Sequence, residues 1–224
     1  MVVPCGRPES PSAARTFRAL AELTRERGYR VRAVGSGVGR LAADYPVQFE
    51  WMDPGEPVGA SAARNRGAAG STAELVAFLD DDCTIRAEDF DRAVRTFSAE
   101  PQLGVLSGRI VSADGSYLGR SFDYCGFAYQ QAARPERDTP LLVSAFMMVR
   151  RQAFVSAGGF DERMRYCEDV DLVLKVLQAG YPSDGRISVK NSNRVFSLER
   201  NAPSMALVTA RAFCFCTPRI IMHR

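Results

Sequence analysis

Histidine is nearly absent from this chain of 224 residues: the single one, His223, is the next-to-last residue. The six cysteines stand far apart, at positions 5, 83, 125, 167, 214 and 216, and none forms a CxxC pair. A structural zinc site wants Cys and His ligands at short spacings, so none is expected, and Cys214-x-Cys216 is the nearest approach to one. The thiols read as free groups in a reducing cytosol. Lysine is scarce too, with only Lys175 and Lys190, and the arginines are scattered under a formal charge of +3. A nucleic-acid-binding face would need them clustered. The opening MVVPCGRPES lacks a basic stretch followed by a long apolar run, so it is not read as a leader. A spanning helix needs about twenty nearly uninterrupted apolar residues. The most apolar segment, PSMALVTARAFCFCTPRIIM, is broken by Arg211, Pro218 and Arg219. It is expected to be an amphipathic helix packed on the domain, with contact to a membrane surface as the alternative. The expected location is cytoplasmic.

What is present suits one large domain or two small ones, with 46% apolar residues to build a core. MVVP suits a buried first strand. Residues 11–28 carry Phe17, Leu20, Ala21 and Leu23 at helical spacing, opened by Ser10-Pro11 and closed by Gly28. Strands are expected at 29–34, 47–52, 74–79, 103–111, 141–151 and 186–190. Helices are expected at 87–97 and 168–180, with a short one in RQAFVSAG and helix-tolerant residues at 59–70. Residues 112–140 read as irregular. The alternation favours an α/β fold with a mostly parallel central sheet flanked by helices, where ligands gather at the carboxyl ends of strands.

One stretch poses a question. In LVAFLDDDCTIRAEDF an apolar strand runs straight into Asp80, Asp81 and Asp82. Adjacent like charges disfavour ionisation unless something positive sits among them. Either water screens them, or the acids favour the start of the following helix, or a cation is held there.

Further motifs follow in order: VVPCGRPES, GASAARNRGAA, VAFLDDDC, SAFMMVRRQAFVSAGGFDERM, CEDVDLVLKVLQAGY and Arg200-Asn201. Each alone is weak. Together, in this order, they resemble the GT-A glycosyltransferases, specifically the inverting family-2 group. The resemblance covers nearly the whole chain and implies one Rossmann-like domain. Its nucleotide-sugar half would span about 1–110, its acceptor half about 111–201, and a C-terminal helical tail 202–224.

The resemblance also implies roles. Asp80 and Asp82 would form the DxD motif, with Asp82 ligating Mg2+ or Mn2+ and Asp80 facing the ribose or sharing the metal. Hard cations take carboxylate oxygens and leave positions for phosphate. Pro4, Gly6, Arg7, Gly35, Arg64 and the triplet, Asp81 included, would line the nucleotide side, and Asn65 would lie near it. The other reading of Arg64 is a surface helix arginine. Asp169 of the Glu168-Asp169 pair would be the general base that deprotonates the acceptor hydroxyl, while Glu168 is the second candidate. A structural reading of the pair is favourable placement at a helix N-terminus. Gly159, Phe160 and Asp161 would line the acceptor side, unless Phe160 belongs to the core. The partners implied are a nucleotide-diphosphate sugar, UDP by default, and a hydroxyl acceptor.

Three features depart from the family pattern. Gly35 and Ser36 stand where many relatives place an acid that holds uracil, so GDP and dTDP sugars stay open. ISVKNSN lacks the histidine that completes the metal site in many relatives. The chain begins inside its first strand and stops soon after the Glu168-Asp169 helix, which suggests a small saccharide or natural-product acceptor. Two other classes remain: a nucleotidyltransferase, and a non-catalytic relative that binds nucleotide or a partner.

Overall fold

The computed structural model describes residues 1–45, 49–112, 117, 137–138, 142–179 and 188–200. The first half alternates strand and helix: β1 (Val2–Pro4), α1 (Pro11–Arg27), β2 (Val31–Val34), a 3-10 segment (Val38–Ala43), β3 (Phe49–Met52), α2 (Ala60–Ala68) and β4 (Leu75–Leu79). The second half follows with β5 (Cys83–Thr84), α3 (Ala87–Ala99), β6 (Leu103–Ser112), β7 (Arg137–Asp138), β8 (Phe146–Arg150), α4 (Arg151–Ser156), α5 (Glu168–Gln178) and β9 (Ser188–Arg200).

Local chemistry explains the element ends. The Ser10 side chain accepts from the Ala13 amide, and Pro11 occupies the first turn of α1. Both satisfy or remove orphan donors at a helix start. Gly28 ends the helix at φ 69°, a conformation costly for other residues.

The sheet runs β3-β2-β1-β4-β8-β6-β9-β5, with β7 paired to β9. It is parallel from β3 to β4. Beyond β4 it is mixed, because β8 inserts antiparallel to both β4 and β6. Burial on both faces explains why β4 shows no polar alternation. Ala77 and Leu79 face one layer with Phe17 and Leu20 of α1 and Phe90 and Phe97 of α3. Val76 and Phe78 face the other, with Ala63 of α2, Phe154 of α4, and Leu172 and Val176 of α5.

Two strands differ from expectation. The strand expected over 141–151 begins only at Phe146, and Ser144 and Ala145 form a turn. Backbone groups of that turn bond elsewhere: the Ala145 carbonyl accepts from the Asp80 amide at 3.1 Å, and the Ser144 amide donates to the Asp169 carboxylate at 3.0 Å. The strand expected at 186–190 continues instead to Arg200, because β6 and β5 both pair with it. Most of the stretch read as irregular, 112–140, and the whole tail 202–224 lie outside the described residues.

At the ends of β1 and β2 the backbones nearly touch. An ideal Cβ on Gly35 would collide with the Cys5 carbonyl oxygen. The Gly35 amide also donates to Met52 O at 3.1 Å, so the residue cannot simply swing away. Gly35→Ala is therefore expected to destabilise the fold by about 3 kcal/mol, the upper end of overpacking costs. A urea titration followed by circular dichroism measures this, and an unchanged midpoint would refute it.

Candidate active site

β4 delivers the triplet to the carboxyl edge of the sheet, and the turn after it is tightly tied. The Cys83 amide donates to Asp80 O at 3.1 Å. The fully buried Thr16 hydroxyl of α1 lies within hydrogen-bond distance of both Asp81 O (2.9 Å) and Cys83 O (2.8 Å). The Asp81 carboxylate accepts from the Gly6 amide at 3.1 Å. Burial pushes its carboxyl above the usual range, and the charges of Asp80 and Asp82 add to that push. The Asp82 carboxylate accepts from the Cys83 thiol at 3.4 Å.

Asp80 is held differently. Its Oδ1 accepts from Nη2 of Arg64 at 2.8 Å, and Nη1 of the same guanidinium donates to Oε1 of Glu168 at 2.9 Å. The Arg64 side chain is only 4% exposed. Its guanidinium also stands 5.3 Å from the centre of the Phe160 ring, within cation–π range. One buried cation thus joins the end of β4 to the start of α5.

Glu168 and Asp169 begin α5 directly after Cys167, whose φ of 61° is the one positive φ at a non-glycine among the described residues. Such backbone costs energy and is concentrated at functional sites. Asp169 accepts from the Ser144 amide through Oδ2 and from the Val170 amide through Oδ1, at 3.0 and 2.8 Å. Burial, reinforced by the charge of Glu168, raises its carboxyl to about 6. The two amide donors and Arg64 pull the other way and do not overcome this.

The loop before α5 is fastened to α2. The Asn65 side chain bonds the backbone of Phe160 and the carboxylate of Glu162. Gly158 and Gly159 both have positive φ, 75° and 71°. Asp161 is clasped by Arg163, whose hydrogen bonds hold its carboxyl well below the usual carboxylate range.

Thus Gly6, Asp80, Asp81, Arg64, Glu168 and Asp169 form one bonded neighbourhood. Burial separates the remaining expected residues. Phe160 is 3% exposed and packs against Phe78 and Phe154, so its ring belongs to the core and not to an acceptor surface. Arg64 is the opposite of a surface arginine. Pro4 is buried within β1, Arg7 is exposed, and the place of Gly35 follows from backbone packing. Thr16, Ser144 and the loop-holding role of Asn65 escaped the sequence reading. Only Thr16 carried a signal, as a polar residue on the apolar face of α1.

No group of three or more His, Cys, Asp or Glu among the described residues is arranged to hold a metal ion. The donor chemistry nonetheless suits a hard cation, since Asp80 and Asp82 offer carboxylate oxygens beside an acid whose ionisation their charges oppose. A cation held by one or two carboxylates and completed by phosphate needs no third protein ligand.

A family model described as "Glycosyl transferase family 2" matches residues 40–156. A pre-mycofactocin glycosyltransferase of Mycobacterium tuberculosis (strain ATCC 25618 / H37Rv) is 33% identical over 128 residues, covering 54% of this chain and 27% of its own length. The chain therefore spans about a quarter of that relative. A mannosyltransferase from Pyrobaculum calidifontis, solved with GDP-Man and Mn2+, superposes with TM-score 0.64 at 18% identity, over 95% of this chain and 62% of that one. S. aureus TarS with UDP-GlcNAc gives TM-score 0.65 at 14% identity, over 89% of this chain and 58% of that one. The two solved structures establish a shared fold.

The Arg64 bridge generates a direct expectation. Arg64→Met removes a cation from two carboxylates that stay partly buried, and should cost about 3 kcal/mol by urea denaturation. Arg64→Lys should recover less than half of the loss, because one ammonium cannot reproduce the guanidinium fork. Full recovery by lysine would show that charge alone matters.

Proposed function

Because the chain belongs to glycosyl transferase family 2, we propose that it transfers a sugar from a nucleotide-diphosphate sugar to an acceptor hydroxyl with inversion, Asp169 receiving the acceptor's proton. The observation that carries this reading is the placement of Asp169, whose two carboxylate oxygens are held by the Ser144 and Val170 amides beside the turn that bonds Asp80. The Asp169 carboxyl, raised to about 6, is still mostly ionised at neutral pH and is basic enough to accept a proton as the new bond forms. The Ser144 amide fixes one oxygen, while Ala145, the next residue, bonds the first aspartate of the triplet. The base and the donor-side acids thus share one turn of backbone.

In the proposed reaction the acceptor oxygen attacks the anomeric carbon from the face opposite the diphosphate. The O–H proton passes to Asp169 while the bond to the leaving oxygen breaks. Glu168, paired with Arg64, orients the start of α5. Asp82 and Asp80 are the residues that would hold Mg2+ or Mn2+. When bound, such an ion stabilises negative charge on the departing diphosphate.

The candidate donor bases are uracil, guanine and thymine. Related folds are solved with GDP-Man and with UDP-GlcNAc, and the loop after β2 supplies Gly35 and Ser36 in place of an acid. That substitution also favours a second reading, a relative that binds nucleotide without turnover. Chain length says nothing about the acceptor when the chain spans 27% of its relative. No helix among the described residues is long and apolar enough to cross a membrane.

Asp169→Asn should lower kcat by about 10²- to 10⁴-fold in a donor-panel assay, with nucleotide affinity unchanged. In the unmutated chain, log(kcat/KM) should be flat above pH 7 and fall about tenfold per unit below a midpoint near 6, because the protonated acid cannot act as base. A profile flat down to pH 5 would remove Asp169 from the role, and nucleotide binding without turnover of any donor would favour the second reading. Thermal shifts with UDP, GDP and dTDP, each with and without Mn2+, should single out one base. At a hundredfold excess over Kd the stabilisation is about 2.7 kcal/mol. Asp82→Asn should abolish the Mn2+-dependent part of the shift, and its persistence would count against a metal role for Asp82.

A further inference from the structure

Asn65 follows Arg64 on α2 but faces different partners. Its amide nitrogen donates to Phe160 O and to Oε1 of Glu162, each at 2.9 Å, and its Oδ1 accepts from the Phe160 amide at 2.9 Å. Both amide hydrogens are committed, and the oxygen binds the backbone of the same residue as the nitrogen. Few side chains can do this at so short a reach: aspartate lacks the donors, and glutamine is longer by a methylene. Gly159 is shaped to the arrangement, since an ideal Cβ there would lie 2.8 Å from Asn65 Oδ1 and the residue holds φ 71°. A hollow of about 500 Å3 bordered by Asn65, Phe154, Gly158 and Gly159 leaves one side of the loop unpacked. The Phe160 ring anchors the loop from the core, and the hydrogen bonds to α2 add the fixed direction of its backbone on that side.

We propose that Asn65 is a positioning residue for the acceptor side. It pins the 158–162 loop to the same helix whose preceding residue, Arg64, pins Asp80 and Glu168. Helix α2 thereby sets the loop and the donor-side acids in one fixed relation. This rests on the glycosyl-transfer reading for its consequence, although the pinning itself does not. With the loop released, the hydroxyl acceptor loses its seat while the nucleotide keeps its own. Water needs no seat, so hydrolysis of the donor survives better than transfer.

The test uses the full chain with Asn65→Ala and Asn65→Asp. Amide hydrogen exchange at Phe160 should speed up by about tenfold or more in Asn65→Ala, which removes its acceptor, and by less in Asn65→Asp, whose carboxylate still accepts from that amide. Affinity for UDP–Mn2+ and GDP–Mn2+ should stay within about twofold, because none of the bonds to Asn65 involves a donor-side acid. With whichever nucleotide sugar the unmutated chain turns over, and a panel of methyl glycosides as acceptors, the ratio of transfer to hydrolysis should fall about fivefold or more. Partial misfolding lowers both rates together and leaves that ratio unchanged. Adding Glu162→Gln to Asn65→Asp should restore part of the ratio, because the new amide donates to the new carboxylate. Unchanged exchange overturns the inference, as does equal loss of transfer and hydrolysis. An unmutated chain that turns over no donor sinks the glycosyl-transfer reading instead, and the exchange rates then decide whether Asn65 holds the loop.

Discussion

A single guanidinium, almost wholly out of water, holds two carboxylates from opposite halves of the chain. Arg64 takes Asp80 from the end of β4 and Glu168 from the start of α5. Burying such a group is costly, and a buried ion pair seldom repays the cost as net stability. Its benefit lies in position. The fork geometry admits few arrangements, so the two acids are held in a defined relation. The Phe160 ring beneath the guanidinium limits it further. Without this bridge, three adjacent aspartates and an acidic helix start would concentrate negative charge with little to offset it.

The bridge works because the sheet brings its partners together. β8 runs antiparallel beside β4, with Leu79 opposite Phe146, so the residues beyond β4 meet those before β8. Ala145 bonds Asp80 and Ser144 bonds Asp169 across that junction. A parallel β8 would have carried the Ser144 turn to the other edge of the sheet. The local departure from parallel order is thus what joins the triplet to the Glu168-Asp169 pair. Thr16 contributes from the opposite layer, its hydroxyl standing between the two carbonyls of the triplet's turn. Acids at the carboxyl edge of a sheet thus stand beside a carboxylate held by two backbone amides.

Much of this was legible in the residues. Helix α1 was marked by Ser10-Pro11 and Gly28, and β4 by an apolar run without alternation. The aspartate triplet and the Glu168-Asp169 pair stood out as acids adjoining apolar segments. Less legible were residues whose partners lie far along the chain. Nothing near Asn65 indicates that it bonds residues 95 and 97 positions away. The burial of Phe160 and of Arg64 was equally hidden, since a phenylalanine after two glycines and an arginine in a small-residue helix each fit two environments.

By itself the sequence determined most of the helices and strands, the order of the motifs and the acids that could do chemistry, because hydrophobic period and capping residues act over a few neighbours. The tertiary structure alone decided which acids share a cation, which are bonded to backbone amides and which carboxyl rises to about 6. Those properties depend on burial and on charges brought together from distant segments. Both are set by the register of β8 against β4 and by the packing of α2 against the loop before α5, and neither is a property of any short stretch of chain.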